Sequence, residues 1–256
     1  MDLFSEMARL AALGTPFVVA TVVETGGSCP QKAGARLLVL ADGTLRGTVG
    51  GGAIELQIVK MAKALLAEQG ATTRLQRSDL VHDLGMCCGG SMSVFLEKVV
   101  PGERLVIFGA GHVGLALADL ARAAGFRVCV ADGREEWLNA QRFPHAERLA
   151  GDPCETARAL EMDEASFACV LTHDHGLDQD LVEILLKKPF RYLGMIGSQR
   201  KAEKLKARLE QTGFEAAQIA RVKSPMGLAI GAQSPQEIAV AIVAELVAVR
   251  HEKKAD

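Results

Sequence analysis

Five short segments carry residues whose types and spacing could do chemistry. "FGAGHVG" places Gly109, Gly111 and Gly114 in a G-x-G-x-x-G pattern. It follows a strand-like run and opens a helix-like one, the context in which such glycines let a backbone approach a diphosphate. Asp132 ends the next strand-like run, where a carboxylate can accept ribose hydroxyls. "GTVGGGAIE" sets Gly50, Gly51 and Gly52 before an apolar-periodic helix, so their amides could cradle an anion. Glu55 would be repelled by a phosphate there, and suits a hydrogen-bond donor on the same ligand. "LGMCCGGSM" offers vicinal thiols, Cys87 and Cys88, beside two glycines. Thiolates bind soft metals and exchange sulfur. "LTHDHGLD" carries His173, Asp174, His175 and Asp178, and "GMIGSQRK" carries Ser198, Arg200 and Lys201. At the carboxyl end of a parallel strand the first group would face a ligand crevice, and the second, between a strand and a helix, suits an anion.

Each segment also has a plain structural reading: a tight turn, a small buried side chain, a helix cap. The His-x-His pair is similar to the metal motif of the metallo-β-lactamase fold, but its acidic residue lies one place too far along and no histidine directly follows it. A ligand or phosphate contact is therefore preferred there, and no metal site is expected.

The elements that must position these residues fall into two rhythms. From the start to about residue 100, hairpins mix with helices. "PFVVATVVET" and "SMSVFLEKV" read as strands, Asp42-Gly43 as a hairpin turn, and Ile54, Ile58, Met61 and Leu65 as one helical face. This is an α+β pattern. Pro101-Gly102 breaks the chain, and from there strands alternate with helices: "RLVIF", "FRVCVAD", "SFACVLT" and "RYLGM" each precede a helical segment or a turn. That rhythm predicts a doubly wound parallel sheet, Rossmann-like, closed by a helix that Ser234 caps and Pro235 starts. The expected fold class is α/β, with an α+β domain over 1–100 and a Rossmann-like domain over 101–256.

Composition excludes other classes. A net charge of −2 gives no global basic field for nucleic acid, and one Trp and one Tyr leave few stacking platforms. No apolar run approaches a membrane span, and no secretory leader is evident, so a cytoplasmic location is expected. None of the six cysteines forms a C-x-x-C pair, so free thiols are expected; Cys129 and Cys169 lie in core-like strands.

Across almost the whole chain, "ETGGSCPQKAGARLLV", "GTVGGGAIE", "CCGGSMSVFLE", "GAGHVG", "LTHDHGLD", "YLGMIGSQRK" and "PMGLAIGAQSPQEIAVAIVAEL" resemble, in that order, the XdhC/CoxI family of xanthine dehydrogenase accessory proteins. The resemblance implies a chaperone without turnover of its own. It would bind molybdenum cofactor, as molybdopterin or a dinucleotide form, during sulfuration by a cysteine desulfurase. It would then deliver the cofactor to xanthine dehydrogenase or a related molybdenum hydroxylase, and a homodimer is expected. Two alternatives remain open. One is a nucleotide-dependent oxidoreductase using Gly109, Gly111, Gly114 and Asp132; the other is a metal-dependent hydrolase using His173 and His175.

Overall fold

A computed structural model of the chain describes residues 2–83 and 89–252. It divides into two compact units at Pro101 and Gly102.

The first unit runs α1 (Leu3–Leu13), β1 (Phe17–Gly26), β2 (Arg36–Leu40), β3 (Leu45–Gly47), α2 (Gly52–Ala67), β4 (Thr73–Asp79) and β5 (Ser91–Val99). The strands form one antiparallel sheet in the order β3-β2-β1-β5-β4. Strand period two divides the apolar residues between its faces. Val18, Ala20, Val22, Leu37 and Val39 join Ile54, Ile58 and Leu65 of α2 in one core. Phe17, Val19 and Leu38 point the other way, onto Leu10 of α1. Asp2 caps α1 through Phe4 and Ser5, and Gly14 ends it in the left-handed conformation.

The second unit runs β6 (Arg104–Phe108), α3 (His112–Ala123), β7 (Arg127–Asp132), β8 (Glu147–Ala150), α4 (Pro153–Ala159), β9 (Phe167–Val170), α5 (His175–Leu185), β10 (Tyr192–Met195), α6 (Gln199–Gln211), α7 (Ala216–Ile219), β11 (Val222–Lys223) and α8 (Pro235–His251). All its strand pairs are parallel, in the order β11-β10-β9-β6-β7-β8. That is the doubly wound order of a Rossmann fold. Its topological switch lies between β6 and β9. Cores cover both faces: one joins Leu117 and Ala121 of α3 to Ile242 and Leu246 of α8, the other joins Leu181 and Leu185 of α5 to Leu205 and Leu209 of α6. The fold is the α/β architecture expected from the sequence, with an antiparallel sheet followed by a parallel one. Cys129 and Cys169 are buried in β7 and β9. Among the described residues no helix is long and apolar enough to cross a membrane.

The switch point depends on backbone contact. Gly109 has φ +126°, and a Cβ there would enter the Leu171 carbonyl; a Cβ on Gly114 would overlap the Gly109 carbonyl oxygen. Gly111 faces open space. Gly114→Ala is therefore expected to destabilise the second unit by about 1–3 kcal/mol, whereas Gly111→Ala shifts it by less than about 0.5 kcal/mol. Urea unfolding followed by circular dichroism checks the contrast; equal effects would contradict it.

Candidate functional site

At the start of α2, Gly50, Gly51 and Gly52 all have positive φ, at 132°, 72° and 60°. The run exists because three successive residues occupy conformations that a side chain resists. The amides it presents are largely spent inside the protein. The Glu55 carboxylate turns back to accept the N–H groups of Val49 and Gly51 at 3.2 and 3.3 Å, and the Thr48 hydroxyl. The Gly50 N–H donates to Thr48 Oγ1 at 3.0 Å. The amides expected to be free for a phosphate are thus engaged within the chain, with the Glu55 side chain at this helix start.

The loop over residues 26–30 joins the other first-unit motifs to this turn. A Cβ on Gly50 would lie 2.6 Å from Pro30 Cγ. A Cβ on Gly90 would lie 2.5 Å from the carbonyl oxygens of Gly26 and Ser28 and 2.7 Å from Cys29 Sγ. The half-buried Cys29 thiol donates toward the carbonyls of Gly26 and Ser91 at 3.3 and 3.2 Å. Residue-by-residue reading missed this loop, in which Pro30 meets Gly50 and Cys29 meets Gly90. Its signal was the Gly-Gly-Ser-Cys-Pro cluster. Cys87 and Cys88 lie outside the described residues.

In the second unit, Gly109 and Gly114 serve the backbone junction, and Gly111 keeps the open approach that an anion at the start of α3 would need. Asp132 is engaged within the chain. It is 6% exposed, and its carboxylate accepts the Ala110 N–H at 2.7 Å, the Arg134 N–H at 3.0 Å and the Arg134 side chain at 2.9 and 2.7 Å. Burial opposes its ionisation, but the Arg134 and Ala110 hydrogen bonds outweigh that and hold the carboxyl below its usual range. Arg134 and Arg142 sit 5.2 and 4.8 Å from the Trp137 ring, and His112 meets that ring edge-on at 5.3 Å. Arg142 also donates to the Ala110 carbonyl at 3.0 Å. These side chains brace this side of the crevice.

On the other side of the switch point, a cavity of about 380 Å³ is lined by His175, Asp178, Gln179, Met195, Ser198, Arg200, Lys201 and Lys204. "LTHDHGLD" and "GMIGSQRK" thus line one cavity. The first wall is built locally. Asp174 caps α5 by accepting the Gly176 and Leu177 N–H groups, which leaves His175 at the first helical position. Asp178, one turn on, reaches back so that its Oδ1 accepts the Thr172 N–H at 2.8 Å and the Thr172 hydroxyl at 2.7 Å. The second wall is the start of α6, where Ser198 occupies the cap position without a side-chain capping bond. Lys204 follows Arg200 by one helical turn, a spacing that could have been read from the sequence. His173 is not among the lining residues. Among the described residues no three His, Cys, Asp or Glu side chains converge as metal ligands. The arrangement provides a concave cationic site at a helix N-terminus, which favours a phosphorylated ligand.

Comparison with known proteins agrees with the motif order. Family models described as the XdhC and CoxI family and the XdhC Rossmann domain match residues 10–78 and 105–246. The chain belongs to the XdhC/CoxI family. Its relatives include the uncharacterized protein YqeB of Escherichia coli, 35% identical over 98% of this chain and 47% of YqeB. A protein of Bacillus subtilis described as a probable xanthine dehydrogenase component is 32% identical over 62% of this chain and 46% of that protein. This XdhC family member therefore spans about half the length of those two relatives. The molybdenum cofactor insertion chaperone PaoD of Escherichia coli is 24% identical over 95% of this chain and 86% of PaoD. A crystal structure described as a xanthine dehydrogenase from Bacillus halodurans aligns with a TM-score of 0.56 and 27% identity, over 100% of this chain and 98% of that one.

The Asp132 geometry sets a pH dependence. Its lowered carboxyl contributes stability above the unfolded-state value near ~4, and that contribution is lost as pH falls through the folded value. Asp132→Asn is expected to cost about 1–3 kcal/mol at neutral pH, with the deficit shrinking below about pH 4. Unfolding titrations of parent and variant across that range check it. A constant deficit would contradict the ion pair as its source.

Proposed function

We propose that this chain is an accessory protein that holds molybdenum cofactor and passes it to xanthine dehydrogenase or a related molybdenum hydroxylase. The observation that carries this reading is the cavity at the start of α6, where Ser198, Arg200, Lys201 and Lys204 gather on one wall. The cofactor is cargo here, a pterin dithiolene ending in a phosphate, and that wall fits its anionic end. The names of PaoD and of the Bacillus subtilis relative support the same role. In this reading the chain binds, orients and shields the cargo, and the bond changes at the metal belong to its partners. Sulfuration by a cysteine desulfurase forms part of the proposal. So do a cytoplasmic setting and a homodimer.

The test is mass spectrometry and metal analysis of protein purified from cells that make the cofactor. Bound pterin and molybdenum are expected in the parent. Replacing Arg200, Lys201 and Lys204 together by Ala is expected to lower retention by roughly 10–100-fold, because charge-assisted contacts to phosphate are lost. Deletion of the protein is expected to leave the hydroxylase synthesised but poorly active. Parent protein free of pterin, together with full hydroxylase activity in the deletion strain, would overturn the role.

A further inference from the structure

The cavity holds a feature that the cationic wall does not explain. Asp178 is 1% exposed. Its Oδ1 is satisfied by Thr172, but its buried Oδ2 has no hydrogen-bond partner. An unpaired buried carboxylate oxygen is costly, and native folds rarely keep one without use. Oδ2 faces His175 Nδ1 at 3.7 Å, just beyond hydrogen-bonding distance. The His175 side chain is 63% exposed and lines the cavity, so a small ring movement can close that gap.

One proton between Oδ2 and Nδ1 satisfies both atoms and fixes the ring. The other nitrogen, Nε2, is then the one left to meet a ligand. Burial pushes the Asp178 carboxyl up, and its contacts with Thr172 and His175 only partly offset this, so a cationic neighbour is what its ionised form needs. A cation at the first position of α5 would be disfavoured by the helix dipole without that carboxylate behind it. Opposite stands the start of α6, with Ser198 uncapped and Arg200 and Lys201 beside it. The stem of Lys201 crosses Gly197, where a Cβ would lie 3.1 Å from Lys201 Cβ, so Gly197 leaves room for it.

We propose that this cavity is a phosphoryl site with a proton-donating wall. Asp178 holds His175 through Nδ1, and His175 donates from Nε2 to one phosphoryl oxygen. The Ser198 hydroxyl, the first amides of α6 and the Arg200 and Lys201 cations take the remaining oxygens. His175 is a direct ligand contact, and Asp178 is a positioning residue that acts through it. The proposal deepens the function proposed above, and rests on it only for the identity of the natural cargo. The phosphoryl group would be the terminal monoester of the pterin or the diphosphate of a dinucleotide form.

The test uses the full chain from cells unable to make molybdenum cofactor, titrated calorimetrically with inorganic phosphate and with pyrophosphate. Binding in the parent, weakened roughly tenfold or more in His175→Gln, is expected. Asp178→Asn is expected to weaken binding by a smaller factor, and the double variant to match His175→Gln alone, because Asp178 acts only through the ring. Nitrogen-15 spectra of the parent should show the His175 ring gaining its second proton when phosphate binds. Binding of either anion through His175 supports the site, and the tighter one tells monoester from diphosphate. Unchanged affinity in His175→Gln overturns the proposal. So does an Asp178→Asn loss that persists undiminished in the His175→Gln background. His175 is exposed, so its variant tests the site even if Asp178→Asn proves unstable. Because the probes carry no pterin, these results stand whether or not the chain carries the cofactor.

Discussion

The second unit turns on the close approach of three backbone segments around Gly109, Gly114 and Leu171. Leu171 donates its N–H to the Phe108 carbonyl at 2.9 Å, which carries the β6–β9 pairing one residue past the strands. Gly109 and Gly114 let the start of α3 settle on that junction. The next residue, Thr172, is the one that Asp178 grips. The placement of His175 therefore depends on a contact between backbones two elements away. Side chains at either glycine would move the start of α3 and the "THDH" segment together. Interiors packed at crystal-like density transmit such shifts rather than absorb them.

Much of this was legible because it rests on spacing. The three glycines, the alternating strands and helices, and the Ser234 cap of α8 follow from local rules that context seldom overrides. That "LTHDHGLD" and "GMIGSQRK" share a cavity comes from the adjacency of β9 and β10, which strand order supplies and spacing alone does not. What failed to read was of two kinds. Strand β4, "TRLQRSD", has a polar edge position and almost no apolar alternation, so its identity comes from pairing with β5 rather than from its own sequence. The partners of carboxylates were the second kind. Asp132 and Glu55 both stand where a ligand-binding acid would stand, yet each accepts donors from its own chain. Arg134, two residues after Asp132, was the visible sign of this. Glu55 gave none, because the side-chain reversal depends on the left-handed turn before it.

The starts of α2 and α6 thus differ electrically. At α2 the favourable site for negative charge is filled by a built-in carboxylate, while at α6 the amides are flanked by cations and a histidine. A chain with a net charge of −2 can still attract a phosphorylated ligand when its positive groups are gathered at one concave edge. Local arrangement, not overall charge, decides where such a ligand settles.

Trp137 is the sole tryptophan of the chain, and it packs against two guanidinium groups and the imidazole that starts α3. All indole emission from this protein therefore originates at one place. Displacement of Arg134 or Arg142 alters the charge directly against that ring. The molecule carries its own optical gauge of the start of α3, readable without any attached label.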